Sequence, residues 1–473
     1  MNHIRLQDVL DSTGAVLVHG ELPAAELKLT GVSTDTRTIG QRELFIALDG
    51  PSFDGNRFAQ GALKAGASAL LLREGSTYDL SGIAPDIAVC VHPNPRRALS
   101  DLGAWYRSTL RCPVVAITGS CGKTTTKNLL RDLVSASLRT VASPSSFNND
   151  IGVPHTLFLA DKETELLAIE MGTNHPGEIA ALCRVARPTA GILTNVGASH
   201  LEGLGSLDGV AREKGDLAAS LPRDGFCVLN ADCRFTPEIR SRTSAKVISF
   251  SIDGSPDTPG GIGDLDATDL IFHSGGTTFR LNGREVTSPL LGTHNVQNLL
   301  AALAACVGLG LELDHVLQAV SGLSGGRQRM ERIELPGLTV FDDSYNSNPE
   351  SLRAAVRVLS GLHGFKRRIL VLGDMLELGD LAAELHHKLG HEAAAAGIDR
   401  ILLVGELARA AAAGALEGGL AAASVLHVSS TEEARRVIHD VVQEGDVVLV
   451  KGSRRMRLEE VVHSLIDQRG PRI

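Results

Sequence analysis

A loop suited to binding a polyphosphate lies at residues 118–124, where the chain has Thr-Gly-Ser-Cys-Gly-Lys-Thr. The short β-branched run at 114–117 predicts a buried parallel strand before it. Apolar residues at helical spacing follow at 125–135 and predict a helix after it. Backbone N–H groups at such a helix start surround phosphate oxygens. The candidate nucleotide-binding residues are Thr118, Gly119, Ser120, Cys121, Gly122, Lys123 and Thr124.

Lys123 and Thr124 carry the most specific chemistry of this loop. A lysine in this position reaches the β- and γ-phosphates, and the hydroxyl after it takes a place on Mg²⁺. The general pattern G-x-x-x-x-G-K-[ST] requires a glycine at position 117, where this chain has Ile117. A bare G-K-T triplet often arises by chance, but the strand before it and the helix after it favour a nucleoside triphosphate site.

Two polar residues follow predicted buried strands further along the chain. The apolar run at 166–170 ends in Glu170, and a second run at 189–195 leads to His200. Open α/β sheets bind ligands at the carboxyl ends of their strands, so both side chains are candidates for the edge that holds Lys123. Two interpretations stand side by side: a pair of metal ligands, or a solvated glutamate with a structural histidine.

A polar cluster opens an Ala/Leu-rich helix at residues 292–298. His294 and Asn298 are four residues apart and Asn295 and Asn298 are three apart, so their side chains share one helix face. An N-terminal capping cluster is the alternative to a ligand-binding role.

The pattern of strands and helices predicts an α/β protein of three domains, in keeping with a length of 473 residues. Residues 1–93 form a small α/β N-terminal domain, in which the polar segment 31–37 has the composition of a turn. Residues 94–325 form a P-loop-type central domain with a mostly parallel sheet and an irregular, glycine-rich stretch at 250–290. Residues 326–473 form a Rossmann-like C-terminal domain, and Gly325-Gly326 is a candidate hinge.

Composition narrows the class of protein. The net charge of −9 and an aromatic content of 3% argue against a general nucleic-acid binder or a binder of anionic membranes. The first residues lack the apolar core of a signal peptide, and the longest apolar run is too short to cross a bilayer. The seven cysteines contain no C-x-x-C pair. These features predict a cytoplasmic protein with reduced thiols.

Cys121 lies inside the phosphate loop, next to Lys123 and a predicted helix start. Such surroundings lower the pKa of a thiol and predict alkylation that nucleotide would prevent. A small residue that only fills the loop is the alternative.

Five motifs in chain order resemble those of the Mur ligase family. Members of that family use the energy of ATP to form amide bonds during the synthesis of cell-wall precursors. The shortened phosphate loop of that family matches residues 118–124 and accounts for Ile117. The other motifs are FNNDIGVP at 147–154, EMGTNHPGE at 170–178, TNVGASHLEGLGS at 194–206 and DDSYNSNP at 342–349. The resemblance covers nearly the whole chain.

The resemblance implies a reaction and its participants. It implies a ligase that joins D-alanyl-D-alanine to UDP-N-acetylmuramoyl-tripeptide through an acyl phosphate, using ATP and two Mg²⁺ ions. Residues 1–93 would bind the UDP substrate, residues 94–325 would bind ATP, and residues 326–473 would close on ATP and the amine. The expected protein is a monomer, without nucleic-acid or membrane partners.

The resemblance also implies roles for individual residues. Lys123 and Thr124 would hold the phosphates and the first Mg²⁺, with Glu170 as its carboxylate ligand. His200 would ligate the second Mg²⁺ beside Lys214, which matches a lysine that family members carbamylate. The implied catalytic residues are thus Lys123, Glu170, His200 and Lys214. The further implied ATP contacts are Asn295, Asn298, Arg329 and Asp343, and the implied substrate contacts are Ser33, Thr34, Asp35, Arg37, Asn148, Asn149, Asn174 and His175.

Several alternatives remain open at this point. Arg327 competes with Arg329 for the ATP contact. Lys214 could instead be a surface lysine paired with a neighbouring carboxylate, either Glu213 or Asp216. For the whole chain, the rivals are a Mur ligase that adds a single amino acid, a folylpolyglutamate synthase, and a P-loop switch that binds nucleotide without ligation.

Overall fold

The computed structural model describes residues 4–20, 23, 26–50, 53–76, 78, 82–145, 147–252, 263–273, 275–324 and 326–470. The larger sheets in these ranges follow one another along the chain, at 16–92, 114–288 and 331–451. Each sheet is mostly parallel and is accompanied by helices, which confirms the predicted α/β class. Gly325 of the candidate hinge lies outside the described residues.

The first unit is a small α/β layer. Its strands are β1 (Ile4–Arg5), β2 (Val16–His19), β3 (Lys28–Leu29), β4 (Val32–Ser33), β5 (Leu44–Ile46), β6 (Asp49–Gly50), β7 (Phe53–Asp54), β8 (Ala69–Arg73) and β9 (Ala88–His92), and its helices are α1 (Leu6–Thr13) and α2 (Ala59–Ala65). The main sheet has the order β2-β9-β8-β5-β4. Between the described strands of this sheet, β2 and β9 pair antiparallel and the other neighbours pair parallel.

The middle unit carries the phosphate loop. Its strands are β10 (Val114–Thr118), β11 (Thr140–Ala142), β12 (Leu166–Glu170), β13 (Ala190–Leu193), β14 (Phe226–Asn230), β15 (Lys246–Ile252), β16 (Leu265–His273), β17 (Gly276–Leu281) and β18 (Arg284–Ser288). Its helices are α3 (Pro95–Thr109), α4 (Lys123–Val134), α5 (Gly152–Phe158), α6 (Glu178–Ala186), α7 (Leu201–Leu204), α8 (Leu207–Ala219), α9 (Thr236–Ser241), α10 (Thr293–Gly308) and α11 (Leu313–Leu317).

The sheet of the middle unit has the order β11-β12-β10-β13-β14-β15-β16-β17-β18. It is parallel from β11 to β16 and antiparallel from β16 to β18. The described part of the stretch at 250–290 is therefore more regular than predicted, since β16, β17 and β18 pair in succession as an antiparallel meander. In β10, Ile117 pairs with Glu170 on one side and with Ile192 on the other, so these strands end at the same edge.

The third unit is a doubly wound layer, as predicted. Its strands are β19 (Glu331–Leu335), β20 (Leu338–Asp343), β21 (Arg368–Gly373), β22 (Arg400–Val404), β23 (Val425–Val428) and β24 (Asp446–Lys451), and its helices are α12 (Pro349–Gly361), α13 (Ala382–Ala395), α14 (Arg409–Glu417), α15 (Thr431–Val441) and α16 (Glu459–Arg469). The order is β19-β20-β24-β21-β22-β23, with β19 antiparallel at one edge.

Helix α3 joins the first unit to the middle unit. The side chain of Asn94 caps the helix by accepting a hydrogen bond from Arg97 N at 3.0 Å, one turn before the first apolar positions. Leu99, Leu102 and Tyr106 follow at helical spacing and are buried in an apolar cluster that extends from the first sheet to the middle sheet. Burying a side chain of this size contributes about 1.5–3 kcal/mol. Within the described ranges, none of the helices has the length and apolar character that a bilayer crossing requires.

Candidate active site

A cleft of about 810 Å³ lies where the middle and third units face each other. It contains the carboxyl end of β12 and the segments that follow β10, β13 and β20. This edge is where open parallel sheets bind ligands. The predicted site residues that line the cleft are Ser120, Cys121, Gly122, Lys123, Thr124, Asn148, Asn149, Glu170, Asn174, His200, Asn295, Asn298, Arg329 and Asp343.

Two glycines give the phosphate loop its shape. Gly119 and Gly122 have φ angles of 150° and 81°, which L side chains rarely adopt. A Cβ atom at Gly119 would overlap the Thr194 hydroxyl, and one at Gly122 would overlap the side chain of Asn298. Ile117, by contrast, is a fully buried strand residue. The missing glycine of the general pattern therefore falls in the sheet, where an apolar side chain is needed.

Two lysines converge on one carbonyl of this loop. Lys123 Nζ donates to Gly119 O at 2.7 Å, and Lys214 Nζ donates to the same oxygen at 3.2 Å. Lys214 is fully buried, in α8, and lies behind the loop rather than in the cleft lining. Burial, together with the nearby charge of Lys123, lowers the pKa of Lys214 to about 7. The uncharged form of the Lys214 amine is therefore accessible near neutral pH.

The alternative of a surface lysine in an ion pair is wrong for Lys214. The carboxylate of Glu213 accepts hydrogen bonds from Gly177 N and Ile179 N at 2.6 and 2.8 Å, where it holds the start of α6. Asp216 pairs with Arg242. Both carboxylates therefore have other partners.

Glu170 is held between a hydroxyl and an amide. Thr124 Oγ1 donates to Glu170 Oε2 at 2.7 Å, and Asn148 Nδ2 donates to Glu170 Oε1 at 2.9 Å. These are hard oxygen ligands of the kind that Mg²⁺ prefers. Within the described ranges, no three or more His, Cys, Asp or Glu residues form a group able to hold a metal ion. The donor set therefore fits a Mg²⁺ ion that takes its other ligands from phosphates and water.

Lys127 is a functional candidate that the sequence analysis missed. Its ammonium group is buried and donates to Ser143 O at 2.6 Å and to Ser145 O at 2.9 Å. Nζ also lies 3.8 Å from Glu170 Oε2. Lys127 thus connects helix α4 with the segment that leads to Asn148, and it stands beside Glu170. Its position at the fourth residue after Lys123, on the buried face of the helix, is the signal that could have revealed it.

We expect Lys127→Met to lower the free energy of unfolding by about 3 kcal/mol, because it leaves two carbonyl oxygens and the Glu170 carboxylate without their buried cation. Urea denaturation measures the change. Lys162→Met is the matched control, since that side chain is 80% exposed and its loss should change stability by less than about 0.5 kcal/mol. Equal stability of the two variants would contradict this account of Lys127.

His200 also lines the cleft, at the residue immediately before α7. Its Nδ1 lies 3.1 Å from Glu377 Oε2, a residue of the third unit. His200 and Glu377 both have left-handed backbone conformations, with φ angles of 52° and 65°. The sequence places Glu377 in a charged segment at 373–379 that follows a strand of the third unit, but nothing in that segment indicates a partner in another unit.

The third unit contributes a cation and a carboxylate to the cleft. The guanidinium of Arg329 lies 4.1 Å from the ring centre of Tyr345, whereas Arg327 is exposed and does not line the cleft. Of the two arginines, Arg329 is thus the one that lines the cleft. Asp343 Oδ2 accepts a hydrogen bond from the buried Lys451 at 2.6 Å. Lys451 likewise belongs to a charged segment at a strand end, at 451–454, but the sequence does not indicate its partner Asp343, which is 108 residues away.

The side chains of Asn295 and Asn298, both in α10, are hydrogen-bonded to each other. Asn298 Nδ2 donates to Asn295 Oδ1 at 3.3 Å, and Asn295 Nδ2 donates to Leu291 O at 2.9 Å. Neither side chain accepts a hydrogen bond from the first N–H groups of the helix, whose N-cap residue is Gly292. The capping interpretation is therefore wrong, and both amides face the cleft.

The surroundings of Cys121 favour the thiol over the thiolate, and alkylation that nucleotide prevents stays a prediction. Burial raises the pKa of the thiol, and the nearby charge of Glu350 acts in the same direction. Sγ lies 3.3 Å from Oδ1 of Asn348 in the third unit. The structure favours Cys121 as a small residue that fills the loop against Asn348.

The remaining predicted residues lie outside the cleft lining. In the first unit, Ser33 Oγ donates to Asp35 O at 3.0 Å, and Arg37 pairs with the Asp35 carboxylate at 2.6 Å. Thr34 Oγ1 lies 3.1 Å from Nε2 of His155 in the middle unit, so this segment faces helix α5. His175 is exposed beside Glu178, at 3.1 Å. Thr118 ends β10 and Gly119 follows it in the loop, and both are likewise absent from the lining.

Models of one protein family match most of the chain. The Mur ligase family catalytic domain matches residues 28–103, the Mur ligase middle domain matches 117–306, and the Mur ligase glutamate ligase domain matches 328–454.

Similar proteins cover the chain almost completely. The UDP-N-acetylmuramoyl-tripeptide–D-alanyl-D-alanine ligase of Escherichia coli (strain K12) is 38% identical over 95% of this chain and 96% of its own. The protein with the same name from Bacillus subtilis (strain 168) is 35% identical over 96% and 97%. A crystal structure of MurF from Acinetobacter baumannii superposes with a TM-score of 0.87 at 30% identity, covering 99% of both chains. That of MurF ligase from Thermotoga maritima in complex with ADP has a TM-score of 0.78 at 25% identity, over 92% and 97%. The chain belongs to the Mur ligase family.

Proposed function

We propose that this chain is the ATP-dependent ligase that adds D-alanyl-D-alanine to UDP-N-acetylmuramoyl-tripeptide in peptidoglycan precursor synthesis. The observation that carries the proposal is that one cleft combines a phosphate loop, the Glu170–Thr124 pair and polar groups of the third unit. Full-length similarity to relatives with that name supports the choice of substrates within the family.

The reaction activates a carboxylate and then transfers it to an amine. The terminal carboxylate of the tripeptide attacks the γ-phosphorus of ATP, which releases ADP and gives an acyl phosphate. The amine of D-alanyl-D-alanine then attacks the acyl carbon, loses a proton and displaces phosphate. At about 4 Å, two like unit charges repel by about 4 kcal/mol at an effective dielectric constant near 20. Lys123 offsets this repulsion by placing its ammonium group at the transferred phosphoryl oxygens.

We assign the first Mg²⁺ to Thr124 and Glu170, and the second to His200 and a carbamylated Lys214. Mg²⁺ supplies neutralisation of the charge that develops on the phosphoryl oxygens. Carbamylation would convert the amine of Lys214 into an anionic oxygen ligand. The pKa of about 7 supports this assignment, because the uncharged amine is the form that reacts with CO₂.

The other site residues divide between nucleotide and substrate. We assign Asn295 and Asn298 to the adenine side, Arg329 to the phosphates and Asp343 to the ribose, because all four line the cleft. The residues proposed to contact the UDP-muramoyl peptide are Ser33, Thr34, Asp35, Arg37, Asn148, Asn149, Asn174 and His175.

We propose domain limits at 1–93 for binding the UDP substrate, 94–325 for binding ATP, and 326–473 for closing on ATP and the amine. The contacts of Asn348 and Glu377 with the middle unit support closure as the step that excludes water from the acyl phosphate. We further propose that the protein is a monomer and that it acts in the cytoplasm, where a nucleotide-linked precursor and ATP are both available.

A coupled assay of ADP release tests the function. Purified protein is given ATP, Mg²⁺ and the muramoyl tripeptide nucleotide, with D-alanyl-D-alanine, single amino acids or glutamate as the amine. We expect ADP release and a longer peptide only with D-alanyl-D-alanine. Release with a single amino acid or with glutamate would indicate another ligase of the superfamily. Slow hydrolysis that is indifferent to both acid and amine would indicate a P-loop switch and refute the proposal.

A further inference from the structure

One direct contact across the cleft joins His200 of the middle unit to Glu377 of the third unit. The two side chains approach to 3.1 Å, between Nδ1 and Oε2. A carboxylate can only accept, so Nδ1 of His200 carries the proton in this contact. The lone pair of the neutral ring then lies on Nε2, and Nε2 has no hydrogen-bond partner among the described residues.

Glu377 is presented by a loop whose backbone is held by hydrogen bonds immediately before it. Met375 N donates to Nε2 of the buried His386 at 3.0 Å, and Leu376 N donates to Ser453 Oγ at 2.9 Å. His386 Nδ1 in turn donates to Ala382 O at 2.6 Å. These bonds immobilise the backbone immediately before Glu377. The position of its carboxylate is therefore set by the third unit and not by His200 alone.

Both partners have backbone conformations that are uncommon for residues other than glycine. His200 has a φ angle of 52° and Glu377 one of 65°. Such conformations persist where the surrounding structure determines them and are enriched at functional sites. An exposed ion pair contributes little to stability, and the Glu377 side chain is 66% exposed. Stability is thus a poor explanation for two strained residues that meet at one hydrogen bond.

We propose that Glu377 is a positioning residue that orients the imidazole of His200 from across the cleft. Metal-binding histidines characteristically donate their other ring N–H to a carboxylate, which fixes the ring and the tautomer. Here that carboxylate belongs to a different unit, so the His200 ligand is fully oriented only when the third unit is docked. This inference rests on the proposed function, which makes His200 a metal ligand.

Pulsed EPR of the full-length protein with Mn²⁺ and a non-hydrolysable ATP analogue tests the proposal, because it detects coupling between Mn²⁺ and an imidazole nitrogen. We expect ¹⁴N coupling in the wild type and its loss in His200→Ala. It should also be lost in Glu377→Ala and retained in Glu377→Gln, whose amide oxygen accepts the same hydrogen bond. The matched control is Asp380→Ala, an exposed acid near the same loop that makes no contact with His200. In turnover assays, Glu377→Ala should lower kcat by about 10- to 100-fold.

The outcomes separate two kinds of failure. If the wild type shows no coupling that His200→Ala removes, the metal assignment of the proposed function fails, and the role of Glu377 fails with it. If that coupling is present and Glu377→Ala retains it, only the role of Glu377 is refuted. Equal impairment of Glu377→Gln and Glu377→Ala would also refute the hydrogen-bond account. A raised KM for D-alanyl-D-alanine with unchanged coupling would mean that Glu377 binds the amine substrate instead.

Discussion

Replacing Lys214 with alanine is expected to lower the rate of ligation by at least about a hundredfold, the scale of losing one preorganised electrostatic group. Lys214 is fully buried, and its amine contacts the backbone of the phosphate loop at Gly119 O. As a carbamate it would supply the anionic oxygen ligand of the proposed second Mg²⁺ site. The Lys214→Ala substitution removes that ligand, and it leaves the protein surface unchanged because the side chain is buried.

Chemical rescue distinguishes a lost ligand from a damaged fold. Short carboxylic acids such as formate and acetate fit the space that the missing side chain leaves and carry the same type of oxygen. We expect them to restore a measurable part of the activity of Lys214→Ala and to leave Lys162→Ala, the exposed control, unchanged. High activity of Lys214→Ala in the absence of any added acid would contradict the metal-ligand role.

The pH dependence of carbamylation has a definite sign. With a pKa of about 7, roughly nine tenths of the Lys214 amine is uncharged at pH 8, whereas protonation prevails below pH 7. Protein stripped of CO₂ at mildly acid pH should therefore be inactive. Bicarbonate should restore its activity at pH 8 more completely than at pH 6.5. Activity that is independent of bicarbonate would refute the modification.

The sequence predicted the phosphate loop and several strands of the middle sheet, because these features depend on local pattern. The β-branched run before the loop forms β10, and residues 166–170 form β12 as predicted. Glu170 was expected near Thr124 because open α/β sheets bind ligands at the carboxyl ends of their strands, and the two side chains are hydrogen-bonded in the structure. Such predictions succeed because strand direction places distant residues at one edge.

The contacts between elements could not be predicted in the same way. The burial of Lys214 depends on α8 packing beneath the loop, and a charged residue beside Glu213 and Asp216 has the local sequence of a solvated helix face. The roles of Lys127 and Lys451 depend on acceptors that lie 16 or more residues away. The raised pKa of the Cys121 thiol depends on its burial and on the charge of Glu350, a residue of the third unit. In each case the decisive partner belongs to another element.

Replacing Lys123 with methionine is expected to lower kcat for ATP-dependent ligation by about 10²- to 10³-fold, since it removes the cation nearest the transferred phosphoryl group. The rate of ADP release at saturating ATP measures this loss of kcat. Lys123→Met that keeps the wild-type rate would refute the phosphate role of this lysine.

The same substitution should also change Lys214, because the two ammonium groups share the acceptor Gly119 O. The charge of Lys123 lowers the pKa of Lys214, so removing that charge raises the pKa and leaves less uncharged amine at pH 7.5. Labelled bicarbonate and ¹³C NMR measure the carbamate directly, without turnover. We expect the pH at which the carbamate forms to move upward in Lys123→Met and to stay near the wild-type value in Lys123→Arg, which retains the charge. An unshifted profile in Lys123→Met would mean that burial alone, and not repulsion between the paired lysines, keeps Lys214 reactive.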